Sequence, residues 1–303
     1  MQRFCKSLAL CYLSNSCTAG CIVCSMDGLK ELQRELSGIA DTLCDVRLFA
    51  DRQAWAQTEA GEQALSFAPN AKELYETVQQ LCGYMLRLSP EKTGQGFITL
   101  RGGHRMGLCG RVTQREGQLV LQEVGSACIR VAHQIKGCGS DAAAGFLAMQ
   151  KGMLICGTPG SGKTTLLRDL VRLISDAGVA VGLSDERGEI AACVQGVAQL
   201  DVGARTHVLD GCPKAEALKW LLRSMCPQVL AMDELCGAAE YQAVRDAAAC
   251  GVRVIATVHA GSMQDIQQRA GLQALVTDGV FRQVIFVQNR RIVRIEETSC
   301  CGQ

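Results

Sequence analysis

A chain of 303 residues with 48% hydrophobic and 20% charged residues can build one large or two medium globular domains, and this composition excludes a disordered or fibrous protein. A net charge of +1 excludes binding driven by overall charge, and aromatic residues at 4% leave no stacking platform for single-stranded nucleic acid, so no nucleic-acid partner is expected. No stretch approaches the roughly 20 continuous apolar residues that span a bilayer, so no transmembrane segment is expected either.

Residues 1–25 read as a variable N-terminal extension. Arg3 and Lys6 precede an apolar run that Ser14, Asn15 and Ser16 interrupt, which does not suit a signal peptide. Within the extension, Cys17, Cys21 and Cys24 have the spacing of an iron–sulfur ligand triplet. No strand–helix series leads out of it, and the chain has 18 cysteines, so the spacing is read as coincidence and most thiols as small buried side chains.

A smaller α+β domain is expected over residues 26–137. Leu29, Leu32, Leu36, Ile39, Leu43 and Val46 fall three or four apart, giving a helix that leads into a short strand. Residues 51–70 read as irregular and polar. A second helix is expected from Ala71 to about Leu88, stopped by Pro90. Four strands follow, over 96–100, 105–112, 118–124 and 127–132, with Gly102-Gly103 and Glu116-Gly117 as turns. The segment Lys136-Gly137-Cys138-Gly139-Ser140 reads as a linker.

Beyond it, over 138–303, helices and strands alternate as a parallel α/β sheet requires. A helix from Asp141 leads to the strand Gly152–Cys156. The next segment, Gly157-Thr158-Pro159-Gly160-Ser161-Gly162-Lys163-Thr164, fits G-x-x-x-x-G-K-[ST] with no mismatch. Its glycines let successive backbone N–H groups turn inward around phosphates, and the helix that follows adds its positive end. Leu166, Leu167, Leu170, Leu173 and Ile174 give that helix its apolar face, and Gly178 stops it. The loop with Thr165 is the expected ATP-binding segment. Lys163 reaches the β- and γ-phosphates, and the Thr164 hydroxyl is an expected Mg²⁺ ligand. Strands are then expected over 179–184, 229–232 and 252–258, with helices from Pro213, from Glu240 and from Met263 to Val276. A hairpin through Asn289-Arg290 closes the series.

Three polar clusters fall at strand tips, where ligands of open α/β sheets bind. Asp233 and Glu234 follow four apolar residues; Asp233 is an expected Mg²⁺ ligand and Glu234 an expected general base. Thr257 and His259 point to one side of their strand by alternation, towards a γ-phosphate. Asp185-Glu186-Arg187 forms the third cluster, which can orient water or lend a cation. Arg205 and Arg223 are further candidates for a cation that acts in cis or from a neighbouring subunit.

Taken together, these residues resemble the secretion-type ATPases that power type II and type IV secretion and pilus assembly. More closely, the chain is similar to the stage III sporulation protein AA family of endospore-forming bacteria. The segments that carry the similarity are Gly96–Leu100, Gly102–Gly107, Ile129–Ala132, Gly157–Thr164, Ser184–Ile190, Asp201–Thr206, Leu209–Glu216, Leu222–Met225 and Asp233-Glu234. The resemblance implies a P-loop NTPase of RecA-like fold in the AAA+ sense. It implies Mg²⁺-dependent hydrolysis of ATP in a homo-oligomeric ring of six. The ring would work from the mother-cell cytoplasm, docked on membrane-embedded channel proteins that face the forespore. By the same similarity Glu186 falls in an aspartate-box region and His259 at a histidine-box position, and both count with Lys163, Glu234 and Arg223 as expected catalytic residues. The region around Val46-Arg47-Leu48-Phe49 and the segment Leu235-Cys236-Gly237 depart from the family pattern in their charged residues. Two other readings stand beside this one: a P-loop ATPase that binds nucleic acid, and a nucleotide-gated scaffold with little turnover.

Overall fold

The computed structural model describes residues 27–82, 97–115, 118–149 and 151–298. The cysteine triplet, the expected end of the second helix and the start of the strand at 96 lie outside these residues. The chain divides into two compact units, one up to His133 and one from Gln134 onward.

In the first unit, helix α1 (Asp27–Ile39) leads into β1 (Leu43–Phe49). Strands β2 (Arg52–Thr58) and β3 (Gly61–Ala64) follow, then α2 (Ala71–Leu81), β4 (Ile98–Thr99), β5 (Arg105–Arg115) and β6 (Gln118–Arg130). The strands form one antiparallel sheet in the order β3-β2-β1-β6-β5-β4. Leu32 and Leu36 of α1, with Leu74 and Val78 of α2, pack on Val46, Leu48, Ala54, Ala56, Met106 and Ala127. Alternation on the strands and four-residue spacing on the helices thus bury one shared core. The start of α2 has a capping box, in which the Asn70 side chain accepts from Lys72 N–H and Glu73 N–H while Glu73 accepts from Asn70 N–H.

Two expectations are corrected in this unit. Residues 51–70 are not irregular: β2 and β3 pair there, and the buried side chains of β2 are Ala54, Ala56 and Thr58, too small or too polar to mark a strand in the sequence. The strands expected at 118–124 and 127–132 are one strand, β6, because Gly125-Ser126 does not break the ladder; irregular register is absorbed beside it, between Cys109 and Gly110 and between Arg111 and Val112.

The second unit contains α3 (Ser140–Met149), β7 (Gly152–Cys156), α4 (Lys163–Asp176), β8 (Val181–Asp185), β9 (Thr206–Asp210), α5 (Lys214–Ser224) and β10 (Val229–Met232). It continues with α6 (Ala238–Ala249), β11 (Arg253–Val258), α7 (Met263–Gln267), α8 (Ala270–Thr277), β12 (Phe281–Gln288) and β13 (Arg291–Glu297). The sheet order is β13-β12-β7-β11-β10-β8-β9, parallel throughout except for β13. Strand alternation sorts the core into two layers. Met153, Ile155, Val181, Leu183, Ala231, Ile255 and Ile285 pack on α3 and α4, whereas Leu154, Cys156, Leu230, Met232, Ala256, Val284 and Phe286 pack on α5, α6 and α8. Helices therefore cover both faces, as near-continuous apolar strands require. Full burial of a side chain such as Leu167 or Leu170 contributes about 1.5–3 kcal/mol each.

Strand β9 was not expected. It lies at the sheet edge with only partial burial, so its sequence carries little apolar signal. The helix expected from Met263 to Val276 is two, because Arg269 leaves helical geometry at φ −104° and ψ 96° and caps a fresh start at Ala270. Among the described residues, no helix is long and apolar enough to cross a membrane.

Candidate nucleotide site

The loop between β7 and α4 builds the site from its backbone. Gly162 sits at φ 104°, a left-handed conformation that L side chains resist, and a Cβ there would stand 3.1 Å from Arg290 Cα. A Cβ at Gly157 would fall 2.4 Å from Ser161 Oγ and 2.5 Å from the Val287 carbonyl oxygen. Only glycine lets the chain turn so tightly here. Ser161 is buried, and its Oγ has no hydrogen-bond partner among the described residues.

Lys163 opens α4 and is buried. Its ammonium donates to Gly157 O at 3.0 Å and Thr158 O at 2.9 Å, and stands 3.1 Å from His259 Nδ1. An ammonium has three protons and accepts none, so Nδ1 is the acceptor here and the neutral ring carries its proton on Nε2. That nitrogen lies 3.2 Å from Glu234 Oε1. Burial pushes the Lys163 pKa below the ordinary lysine value, and the negative charges of Asp233 and Glu234 offset part of the fall.

The tip of β10 brings its two acids to the start of α4. Thr164 Oγ1 donates to Asp233 Oδ2 at 2.8 Å. Thr257, fully buried at the end of β11, donates to Asp233 Oδ1, and its hydroxyl accepts from Glu234 N–H at 2.8 Å. Glu234 has φ 50°, an uncommon conformation for a residue with a side chain, and this bond helps to hold it there. Arg187, more than half exposed, pairs with Glu234 Oε2 at 2.7 Å. A connected row of polar side chains thus runs Lys163–His259–Glu234–Arg187.

The donor set fits a nucleoside triphosphate and a hard cation. The cradle has no room for a Cβ at Gly157 and little at Gly162, the Ser161 hydroxyl has no partner among the described residues, and the Thr164 hydroxyl with the Asp233 carboxylate offers the oxygen ligands that Mg²⁺ takes.

Other residues singled out in the sequence lie elsewhere. Asp185 is buried and accepts from the N–H groups of Glu189, Ile190 and Ala191, so it shapes the turn after β8. Glu186 pairs with Lys214 at 2.8 Å rather than with a member of that row. Lys214, buried at the start of α5, also stands 3.5 Å from Glu240, which accepts from Cys236 N–H at 2.8 Å. Burial disfavours the Lys214 charge, but the Glu186 hydrogen bond and the two carboxylates outweigh it and raise the pKa. Arg205 donates to Gly178 O. Arg223 is exposed in the last turn of α5, about 13 Å along the helix from Lys214. Thr257 as the brace of both acids and Lys214 as the partner of Glu186 are roles that sequence reasoning missed. Only the polar residue inside an apolar strand and the lysine just after Pro213 hint at them.

A phosphate loop after a central parallel strand, with acids on the next strand but one and helices on both faces, defines a P-loop ATPase fold of RecA type. Solved structures agree. The Legionella pneumophila ATPase DotB superposes with a TM-score of 0.58 at 15% identity, over 94% of this chain and 84% of that one. The pilus retraction motor PilT with bound ADP gives 0.56 at 16%, over 84% of this chain and 76% of that one. At such identities the likeness is one of fold. Sequence goes further: residues 30–295 match the family described as Sporulation stage III, protein AA. Stage III sporulation protein AA of Bacillus subtilis (strain 168) is 39% identical over 225 residues, which cover 72% of this chain and 73% of that protein. The chain belongs to the stage III sporulation protein AA family.

Proposed function

We propose that this chain is a Mg²⁺-dependent ATP hydrolase that works as a homo-oligomeric ring motor, built from six copies. It energises a membrane-embedded channel complex between mother cell and forespore, from the mother-cell cytoplasm. The observation that carries the reading is the joining of the phosphate loop to the acids, Thr164 to Asp233 at 2.8 Å with Glu234 next in the chain. The sporulation name of the Bacillus relative and the motor fold of PilT support the biological setting.

In this reading the N–H groups of Gly157–Thr165 and the Lys163 ammonium bind the phosphates, and Thr164 with Asp233 holds the metal ion. Bound Mg²⁺ neutralises phosphate charge. Glu234 accepts a proton from the attacking water, and His259 orients it through Nε2–H. Thr257 fixes both acids, so that the carboxylates are placed before substrate arrives. Glu186 is poised by Lys214 at the rim, and Arg223 on the outer end of α5 is available to a neighbouring subunit. The Arg187–Glu234 ion pair favours one alternative, a nucleotide-gated scaffold in which Glu234 stays engaged and turnover is slight.

Phosphate release by the purified full chain decides between them. Turnover is expected with ATP and Mg²⁺, with loss of about a hundredfold or more in Lys163→Ala and Glu234→Gln and abolition by a chelator. Unchanged turnover in both variants would sink the assignment of the site, and tight ATP binding without turnover in the unaltered chain would support the scaffold.

A further inference from the structure

The hairpin of β12 and β13 is fastened to the phosphate loop. Arg290 N–H donates to Ser161 O at 2.9 Å. A Cβ on Gly162 would meet Arg290 Cα at 3.1 Å and its Cβ and Cγ at 3.6 Å, so the arginine side chain sets out along the rim of the loop. The Val287 carbonyl closes on Gly157 in the same way.

The turn itself breaks a local rule. Asn289 and Arg290 have φ 50° and 62°, both left-handed, as a two-residue type I′ turn demands. Asparagine suits the first position, but the second belongs to glycine, and an arginine there is strained. Arg290 is exposed, and its guanidinium has no ion pair or side-chain hydrogen bond among the described residues. A strained residue kept beside an anion-binding loop, with its charge unspent, marks a ligand contact.

Topology says which part of the ligand. Asp233, Glu234 and His259 come from β10 and β11, on one side of β7, while β12 flanks β7 on the other. The acids face the terminal phosphate, so the hairpin lies by the phosphates nearer the nucleoside. We propose that Arg290 binds these phosphates and makes the hairpin turn a wall of the nucleotide site, gripping ADP as firmly as ATP. This rests on the nucleotide reading above.

Calorimetric titration of the full chain with Mg–ATP, Mg–GTP and ADP tests it, alongside Arg290→Gly, Arg290→Lys and Lys163→Ala. Arg290→Gly is expected to weaken ATP, GTP and ADP by one common factor of about ten, the loss of a charge-assisted hydrogen bond. Arg290→Lys should recover most of it, and the nucleotide-free glycine variant should melt no lower than the unaltered chain, because glycine relieves the turn. Unchanged affinity overturns the proposal. So does a loss confined to ATP, which would place the arginine at the terminal phosphate, and so does a loss for ATP but not GTP, which would place it on the base. A lower melting temperature for the glycine variant removes the strain argument and overturns it as well. If the unaltered chain and Lys163→Ala alike bind no nucleotide, the failure belongs to the nucleotide reading itself.

Discussion

Thr257 shows how much of the site hangs on a residue with no chemistry of its own. Its hydroxyl donates to Asp233 and accepts from Glu234 N–H, so one buried oxygen fixes the carboxylate of the proposed metal ligand and the backbone of the proposed base. Thr257→Val keeps the shape and removes both bonds. It is expected to lower stability by about 1–2 kcal/mol, seen as a shift of the urea midpoint, and to lower turnover further than that loss explains. An unchanged midpoint would mean that neither bond contributes. Strand alternation sets Thr257 and His259 on one side, and both contact Glu234 there. What alternation cannot say is that Lys163 occupies His259 Nδ1, or that Lys214 holds Glu186, because both pairings join residues far apart in sequence.

At the scale of elements, legibility follows burial. Strands β7, β10 and β11 are covered on both faces and read as continuous apolar runs; β9 at the edge and β2 with its alanines do not. Helix α4 is the best marked of the helices, by the phosphate loop before it and by Gly178 after it. It also anchors the segment that enters this unit. Asp169, almost wholly buried, accepts from Gly139 N–H at 2.9 Å and from Arg172 at 2.6 Å. Burial alone would raise its pKa, but the hydrogen bonds of Arg172, Gly139 and Gly137 and the arginine charge outweigh it and hold the carboxyl below the ordinary aspartate value. A depressed carboxyl contributes stability above its unfolded pKa of about 3.9, lost as pH falls through the folded value. Asp169→Asn is therefore expected to cost about 1–3 kcal/mol at neutral pH. Its stability should also fall less steeply than that of the unaltered chain below about pH 4. Denaturant titrations at several pH values check both, and parallel acid limbs would contradict the account.

For the whole molecule, the α/β unit from Gln134 onward was largely readable, since one motif fixes the order of strand, loop and helix and the rest alternates around it. The unit up to His133 was less so: β2 and β3 carry small or polar residues, and the core that Leu32, Leu36, Leu74 and Val78 share with the sheet is what places β2. Arg223, exposed in the last turn of α5, is a cation that a ring assembled from several copies would use. The most direct test is the mass of the full chain in solution, with and without a non-hydrolysable ATP analogue and Mg²⁺. The account predicts a nucleotide-dependent species of six chains; a chain that binds the analogue and remains a monomer at every concentration would contradict it.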